Sequence, residues 1–418
     1  MLLLFSAVYQ SVYIPQGAVK LSRFIEKLRR VKLRELLGMW KLPVALVCAP
    51  FYRLKHKDLW IICEDAGEAR DNGYWLFKYI RQEHKEQDIV YAINLDSPDI
   101  DKVRALGRVV KYSSLAHYIM YLASTKKISS QKAGNPNAAL FYFLEVYGIL
   151  KSQRVFLQHG VIKDNLLWLH YDVTKMQRFI CGAYPEYQYV DSTYGYPKGH
   201  ICYTGLCRFD GLHDFKVKDK SILVMPTWRE WIADEDYRLA EYEGTTVIEK
   251  TNYFVKWLEF LNSPRLKELS DKYGVHFVFY PHRNMQKYME HFPKSNDYVE
   301  ILDAKSQDVQ KLLKSSAMMI TDYSSVFFDM LYMKKPVIYY QFDYEQFRKG
   351  QYEEGYFHYD DNPFGKSFRS LDQVFDQLDE IIASDFKVSD AYLEAHKDYF
   401  RLYDSDNCKR VYEVVKDL

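Results

Sequence analysis

No uninterrupted apolar run in this chain of 418 residues approaches the ~18 that a helix needs to cross a bilayer, so no spanning segment is expected. Residues 1–8 are apolar but lack the basic flank that precedes the core of a signal peptide, so the chain is not expected to be secreted. An excess of charge is missing too: 57 Lys and Arg stand against 56 Asp and Glu, a formal net of +1, which excludes a surface that coats nucleic acid. Six cysteines form no C-x-x-C pair and no Cys/His cluster, and they read as reduced core thiols of a cytosolic protein. The P-loop pattern G-x-x-x-x-G-K-[ST] is absent, as are G-x-G-x-x-G, H-E-x-x-H and G-x-S-x-G, which counts against P-loop, dinucleotide, zincin and α/β-hydrolase chemistry. Carboxylates spaced D-x-D do occur, at Asp99/Asp101, Asp234/Asp236 and Asp404/Asp406. They sit in polar loops or helix starts and read as turn and cap residues rather than a cation site.

What is present is a globular chain, 48% hydrophobic, long enough for two or three domains with their own cores. From Leu59 onward, short apolar runs alternate with amphipathic stretches: Leu59 to Cys63, Ile89 to Ile93, Val109 to Tyr112, Lys127 to Ser130, Val155 to Gln158, Phe179 to Cys181 and Ile201 to Tyr203. A second series follows at Ile222 to Met225, His276 to Tyr280, Val299 to Leu302, Met318 to Thr321 and Val337 to Tyr340. Such alternation predicts right-handed crossovers and parallel sheets in an α/β protein of two Rossmann-like units, residues 58–205 and 206–418. Their carboxyl ends would face a shared cleft. Helices are expected over Asp308 to Lys314, Ser325 to Met333 and Ser370 to Ala383, the last capped by Ser370.

Charge is uneven in the first 57 residues. Between Lys20 and Lys57, 11 basic residues stand against Glu26 and Glu35. Leu21, Phe24, Ile25, Leu28, Val31, Leu36 and Leu37 recur at spacings of three and four, which places them on one face of a helix. The apolar stretch Leu42 to Tyr52 follows, too short to span but suited to an interface. Basic residues near an anionic leaflet contribute about 1 kcal/mol each, so residues 1–57 predict a segment that holds the protein on a membrane surface.

Polar clusters fall where a parallel sheet exposes its strand ends. Gln158-His159-Gly160 follows one apolar run; an imidazole there is placed to take a proton from a hydroxyl, and the glycine lets a substrate approach the backbone. Thr204-Gly205-Leu206-Cys207-Arg208 and Pro226-Thr227-Trp228-Arg229 each deliver a guanidinium, a planar fork for phosphate oxygens. Pro281-His282-Arg283 ends another run. Thr321-Asp322-Tyr323-Ser324-Ser325 opens a helix, whose free N–H groups and two hydroxyls suit an anion. Together these residues predict a pocket for a diphosphate with a base beside it. Asp71-Asn72-Gly73 precedes a helical pattern and reads first as a cap.

At these residues the sequence resembles the CDP-glycerol glycerophosphotransferases, the enzymes that prime and polymerise teichoic acids and related capsules. The resemblance runs from about Leu59 to Asp361 and also draws on Lys335-Pro336-Val337-Ile338-Tyr339-Tyr340 and Gly355-Tyr356-Phe357. It implies a GT-B fold, peripheral association with the cytoplasmic face of the membrane, and transfer of a polyol phosphate from its CDP donor to a hydroxyl with release of CMP. The acceptor would be lipid-linked or an oligosaccharide, and no cofactor is implied beyond the CDP-glycerol substrate. Carried onto this chain, His159 would be the base. His282 would act at the donor diphosphate with Arg283, Ser324 and Ser325, and Asp322 would order that loop. Thr227, Arg208 and Arg229 would complete the donor site. This chain departs from the family where it has Gln158 before His159 and Cys207 before Arg208, positions at which members often carry Trp and Pro. A CDP-ribitol or sugar-nucleotide transferase on the same fold, or a non-catalytic membrane-docked polyanion binder, would share much of this pattern.

Overall fold

The computed structural model describes residues 33–418 apart from 133, 219, 234–237 and 304–306. Most of the expected basic helix and the Asp234/Asp236 pair lie outside the described residues.

Seven short strands, Trp60–Cys63 (β1), Ile89–Ile93 (β2), Val109–Lys111 (β3), Lys126–Ser129 (β4), Gln153–Phe156 (β5), Arg178–Cys181 (β6) and Ile201–Tyr203 (β7), form a parallel sheet in the order β3-β2-β1-β4-β5-β6-β7. Six more, Ser221–Val224 (β8), His276–Phe279 (β9), Val299–Ile301 (β10), Met318–Thr321 (β11), Val337–Tyr340 (β12) and Ser367–Phe368 (β13), form a second parallel sheet in the order β10-β9-β8-β11-β12-β13. Strands β1, β2, β8, β11 and β12 are buried along their whole length, as parallel strands covered on both faces must be, which is why they read as continuous apolar runs. In each sheet the strand order reverses beside the first strand, between β1 and β4 and between β8 and β11. Ligands of doubly wound folds bind at such switch points, outside the carboxyl ends. This is the GT-B arrangement of two Rossmann-like units.

The last helix, Asn407–Lys416, does not stay with the second sheet, to which the 206–418 division assigns it. It returns to the first: Tyr412 packs on Trp60 with ring centroids 5.5 Å apart and stacks on His84 at 3.8 Å. Arg410 donates to the Thr204 carbonyl at 2.8 Å, and the Asn407 and Cys408 N–H groups donate to the Asp210 carboxylate. A two-residue ribbon also joins the halves, pairing Asp164–Asn165 antiparallel with Glu353–Glu354. Gly355 belongs there because a Cβ would run into the Lys163 carbonyl. Lys335 caps a helix end, donating to the carbonyls of Leu313, Lys314 and Ser316. Ser370 stands at the N-cap of the Leu371–Ala383 helix, but its hydroxyl makes no capping bond.

Of the N-terminal region, the helices Leu33–Gly38 and Lys41–Lys55 are described. The Leu42 to Tyr52 stretch is helical throughout. Pro43 lies in the first turn, where no amide hydrogen is needed, and Pro50 sits on the exposed side. Ala45 and Ala49, one turn apart, are buried in a cluster with Tyr118 and Tyr121 of the Leu115–Ala123 helix, and their small side chains permit the close approach. The opposite side exposes Leu46, Val47, Phe51 and Leu54. No described helix is long and apolar enough to cross a membrane.

Candidate active site

The carboxyl ends of both sheets face one cavity of about 590 Å³. His159, Gly160, Thr227, His282, Arg283, Ser324 and Ser325 all line it, so strand ends more than 160 residues apart in the chain do converge. Beside them stand Asp71, Lys163, Arg208 and Trp228.

His159 is aimed by strain. The preceding Gln158 has φ 60°, a left-handed conformation that costs a non-glycine residue on the order of 1–3 kcal/mol. The cost is met by three bonds: Gln158 Nε2 donates to the Ile180 carbonyl at 2.5 Å and to Glu186 at 3.0 Å, and Asn72 Nδ2 donates to the Gln158 carbonyl at 2.7 Å. Glu186 also accepts the N–H groups of Ile162, Gly182 and Ala183, and burial still pushes its carboxyl up to about 7. The His159 side chain is exposed to the cavity, although the protein packs densely around it. Desolvation lowers its pKa, Asp71 opposes that, Arg208 adds to it, and a hydrogen bond to the Ser130 backbone opposes it. The ring therefore rests neutral at pH 7, the form that accepts a proton.

His282 comes from the other half and stacks against Trp228, centroids 6.0 Å apart and planes at 19°. Its Nδ1 accepts the Asn284 N–H at 3.2 Å, which leaves Nε2 to carry the proton of the neutral ring. Burial, then Arg283, then His159 push its pKa down to about 4. Arg283 is exposed at the mouth, where it reaches Asp65 at 3.0 Å across the cleft. A Cβ on Gly160 would lie 2.7 Å from Ser325 Oγ, so the glycine lets the two halves close on each other. Thr227 Oγ1 is buried without a hydrogen-bond partner among the described residues, as expected of a group that waits for a ligand.

The two other arginines do not present free forks. Arg208 Nε and Nη2 bind the two oxygens of Asp329, each at 2.7 Å, and Nη1 donates to Asp71 at 2.9 Å and to the His159 carbonyl at 2.7 Å. Arg229, fully buried, forks onto Asp343 at 2.7 and 3.0 Å and approaches Asp322 at 2.9 Å; neither it nor Asp322 lines the cavity. Asp322 does order its loop: one oxygen accepts the N–H groups of Thr227 and Tyr323, tying the ends of β8 and β11 together at the switch point. The helix expected from Ser325 is the six-residue Phe327–Tyr332, so Ser324 and Ser325 occupy the turn before it and a helix dipole adds little there. Asp71 is the N-cap expected, accepting the Asn72 N–H at 2.8 Å, and is also a wall of the cavity.

Three groups had no part in the expected site. Glu64 follows β1, accepts from Tyr91 OH at 2.7 Å and Ser130 Oγ at 3.1 Å, and is pushed up to about 7 by burial and then by Asp71. Glu186 left no local signal because its partners are three backbone N–H groups and the amide of Gln158, 28 residues earlier. Lys163, paired with Asp164 and almost wholly buried, had one signal: a lysine four residues past a strand-end histidine.

Residues 46–417 match the family described as CDP-glycerol:poly(glycerophosphate) glycerophosphotransferase. The chain belongs to that family. GgaB, the minor teichoic acid biosynthesis protein of Bacillus subtilis (strain 168), is 31% identical over 376 residues, covering 88% of this chain and 41% of GgaB. The teichoic acid poly(glycerol phosphate) polymerase of Bacillus spizizenii is 24% identical over 199 residues, 47% of this chain and 45% of that protein. This member of the glycerophosphotransferase family thus spans less than half the length of those relatives. The solved wall teichoic acid polymerase TagF shares its fold, with a TM-score of 0.64 at 17% identity over 94% of this chain and 97% of that one. The Staphylococcus aureus MnaA–UDP structure is similar at a TM-score of 0.50 and 12% identity, over 86% of this chain and 96% of that one.

Proposed function

We propose that this chain moves glycerol phosphate from CDP-glycerol to a hydroxyl of a lipid-linked or polysaccharide acceptor, releasing CMP, in teichoic acid or capsule-like polymer synthesis. The observation that carries the proposal is the convergence of His159 and His282, from opposite halves, on one cavity with Ser324, Ser325 and Arg283. The acceptor oxygen attacks the phosphorus that bears glycerol; the bond from that phosphorus to the CMP oxygen breaks, and the acceptor proton passes to His159. Arg283 and the Ser324 and Ser325 hydroxyls hold the diphosphate oxygens, and His282 Nε2–H donates to the charge that gathers on CMP. Arg208, Arg229 and Asp322 act by position, holding the His159 loop and the β8 and β11 ends. No step needs a cofactor. The exposed apolar side of the Lys41–Lys55 helix, rimmed by Arg53 and Lys55, supports a peripheral place on the cytoplasmic face of the membrane.

The donor is tested by incubating the full chain with CDP-glycerol, CDP-ribitol and UDP-sugars and measuring CMP or UDP release. CMP from CDP-glycerol alone is expected. Release from CDP-ribitol or UDP-sugars in its place would reassign the donor, and saturable binding with no nucleotide product would make the chain a binding module.

A second measurement probes His282. Its ring titrates near 4 in the free protein because burial and Arg283 disfavour the cation. A diphosphate beside it favours the cation and must raise that midpoint. Binding then takes up protons, so donor affinity rises as pH falls through the bound midpoint and levels off below the free one near 4. A histidine NMR titration with and without CDP-glycerol checks this, and an unmoved midpoint would place the diphosphate elsewhere.

A further inference from the structure

At the end of the first sheet opposite the active site lies a second cavity, of about 940 Å³, that the proposed reaction does not use. It opens beneath the amino ends of β4 and β5 and is lined by Arg53, Lys126, Lys127, Lys151, Arg154 and Lys175, against which stand only Asp58 and Glu145 among its acidic groups. Arg154 takes up Glu145 at 3.1 Å. Lys126 and Lys127 are 7% and 6% exposed, yet each ammonium is bonded to a neutral group, Lys126 to Gln153 Oε1 and Lys127 to Ser152 Oγ, both at 2.7 Å. Neither forms an ion pair among the described residues. Burial, opposed by Glu145 and aided by Arg154 and Arg53, brings the Lys127 pKa down to about 8. Six basic residues share only Asp58 and Glu145 there, so drawing the Lys126 and Lys127 ammonium groups from water is costly, and an anion in the cavity reduces that cost.

The surroundings say what carries the anion. Arg53 lines the cavity from the Lys41–Lys55 helix, at the edge of the stripe formed by Leu46, Val47, Phe51 and Leu54; Phe51 is 69% and Leu54 72% exposed. Tyr147 also lines the cavity, and it and Ile149 are exposed as well. An anion pocket bordered by exposed apolar side chains is complementary to a headgroup phosphate with acyl chains beside it. We propose that this cavity seats the headgroup phosphate of an anionic phospholipid, and that the Phe51/Leu54 stripe lies in the same leaflet. The inference rests on the peripheral membrane placement proposed above and gives that placement a specific pocket.

The test uses the full chain with phosphatidylcholine vesicles and with equimolar phosphatidylcholine and phosphatidylglycerol vesicles. Wild type is expected to float with the anionic vesicles only. Lys126→Met/Lys127→Met removes both charges while keeping side-chain length, so its melting temperature should hold or rise. Its affinity for the anionic vesicles should fall about thirty-fold, from two basic groups near a leaflet. Monomeric short-chain phosphatidylglycerol should raise the melting temperature of wild type and not of the variant, which separates a pocket from diffuse attraction. A variant that binds anionic vesicles as wild type does overturns the pocket and leaves the membrane placement standing. Wild type that ignores both vesicles, or that buries this stripe in a dimer in solution, overturns both. CMP release in detergent is expected to be unchanged in the variant.

Discussion

Replacing His159 with asparagine is expected to cut turnover of CDP-glycerol by about two to four orders of magnitude, the usual worth of a general base, while the donor still binds. The expectation rests on placement. The ring opens onto the cavity, its environment holds it neutral at pH 7, and the residue behind it is locked in a strained conformation by Ile180, Glu186 and Asn72. Asparagine retains a polar group at the site but cannot accept a full proton, so the loss should fall on kcat and spare donor affinity. Because the free-protein pKa is lowered, the acidic limb of the wild-type profile should lie below the ordinary histidine range near 6.5, and the variant should lack that limb. Steady-state kinetics across pH, with calorimetric titration of CDP-glycerol, checks all three. A His159→Asn enzyme of normal turnover would remove the base from the mechanism.

The second large effect concerns Arg208. Replacing it with methionine strands Asp329 and leaves Asp71 short of a partner; breaking a buried pair by removing one member costs about 3–5 kcal/mol. Denaturant unfolding should register that loss, and adding Asp329→Leu should return most of it, since both buried charges are then gone. Stability alone would not separate a pin from a positioning residue. Arg208→Lys keeps the charge but loses the fork that meets Asp329 through two nitrogens while reaching the His159 carbonyl with a third. That variant is expected to fold and to bind the donor normally, with kcat reduced about tenfold or more by misplacement of His159. Full activity in Arg208→Lys would confine the residue to holding the fold together.

The contrast between histidines and arginines shows what the sequence could carry. Both histidines sit at strand ends, and parallel strands buried on both faces announce themselves as apolar runs; Met318–Thr321 and Val337–Tyr340 fall where those runs do. Whatever hangs on such a strand end is legible in outline. The guanidinium forks of Arg208 and Arg229 were legible as cations, but their partners Asp329 and Asp343 lie more than 110 residues away in the chain, and local pattern holds no record of the pairing. The short strand β13 and the ribbon between the halves have two residues per strand, too few for any period. Asn407–Lys416 has an ordinary amphipathic pattern, which dictates that one side is buried but not which sheet buries it. The same limit applies to the Lys41–Lys55 helix, whose two prolines argue locally against a helix that packing through Ala45 and Ala49 sustains.

The return of that last helix has a mechanical consequence. The polypeptide passes between the halves once after β7 and again ahead of Asn407, so the two lobes hang on a pair of tethers rather than one. Two tethers define a hinge line. Such a pair restricts turning of one lobe against the other to the line that joins the two crossings, a restriction that keeps Gly160 in register with Ser325.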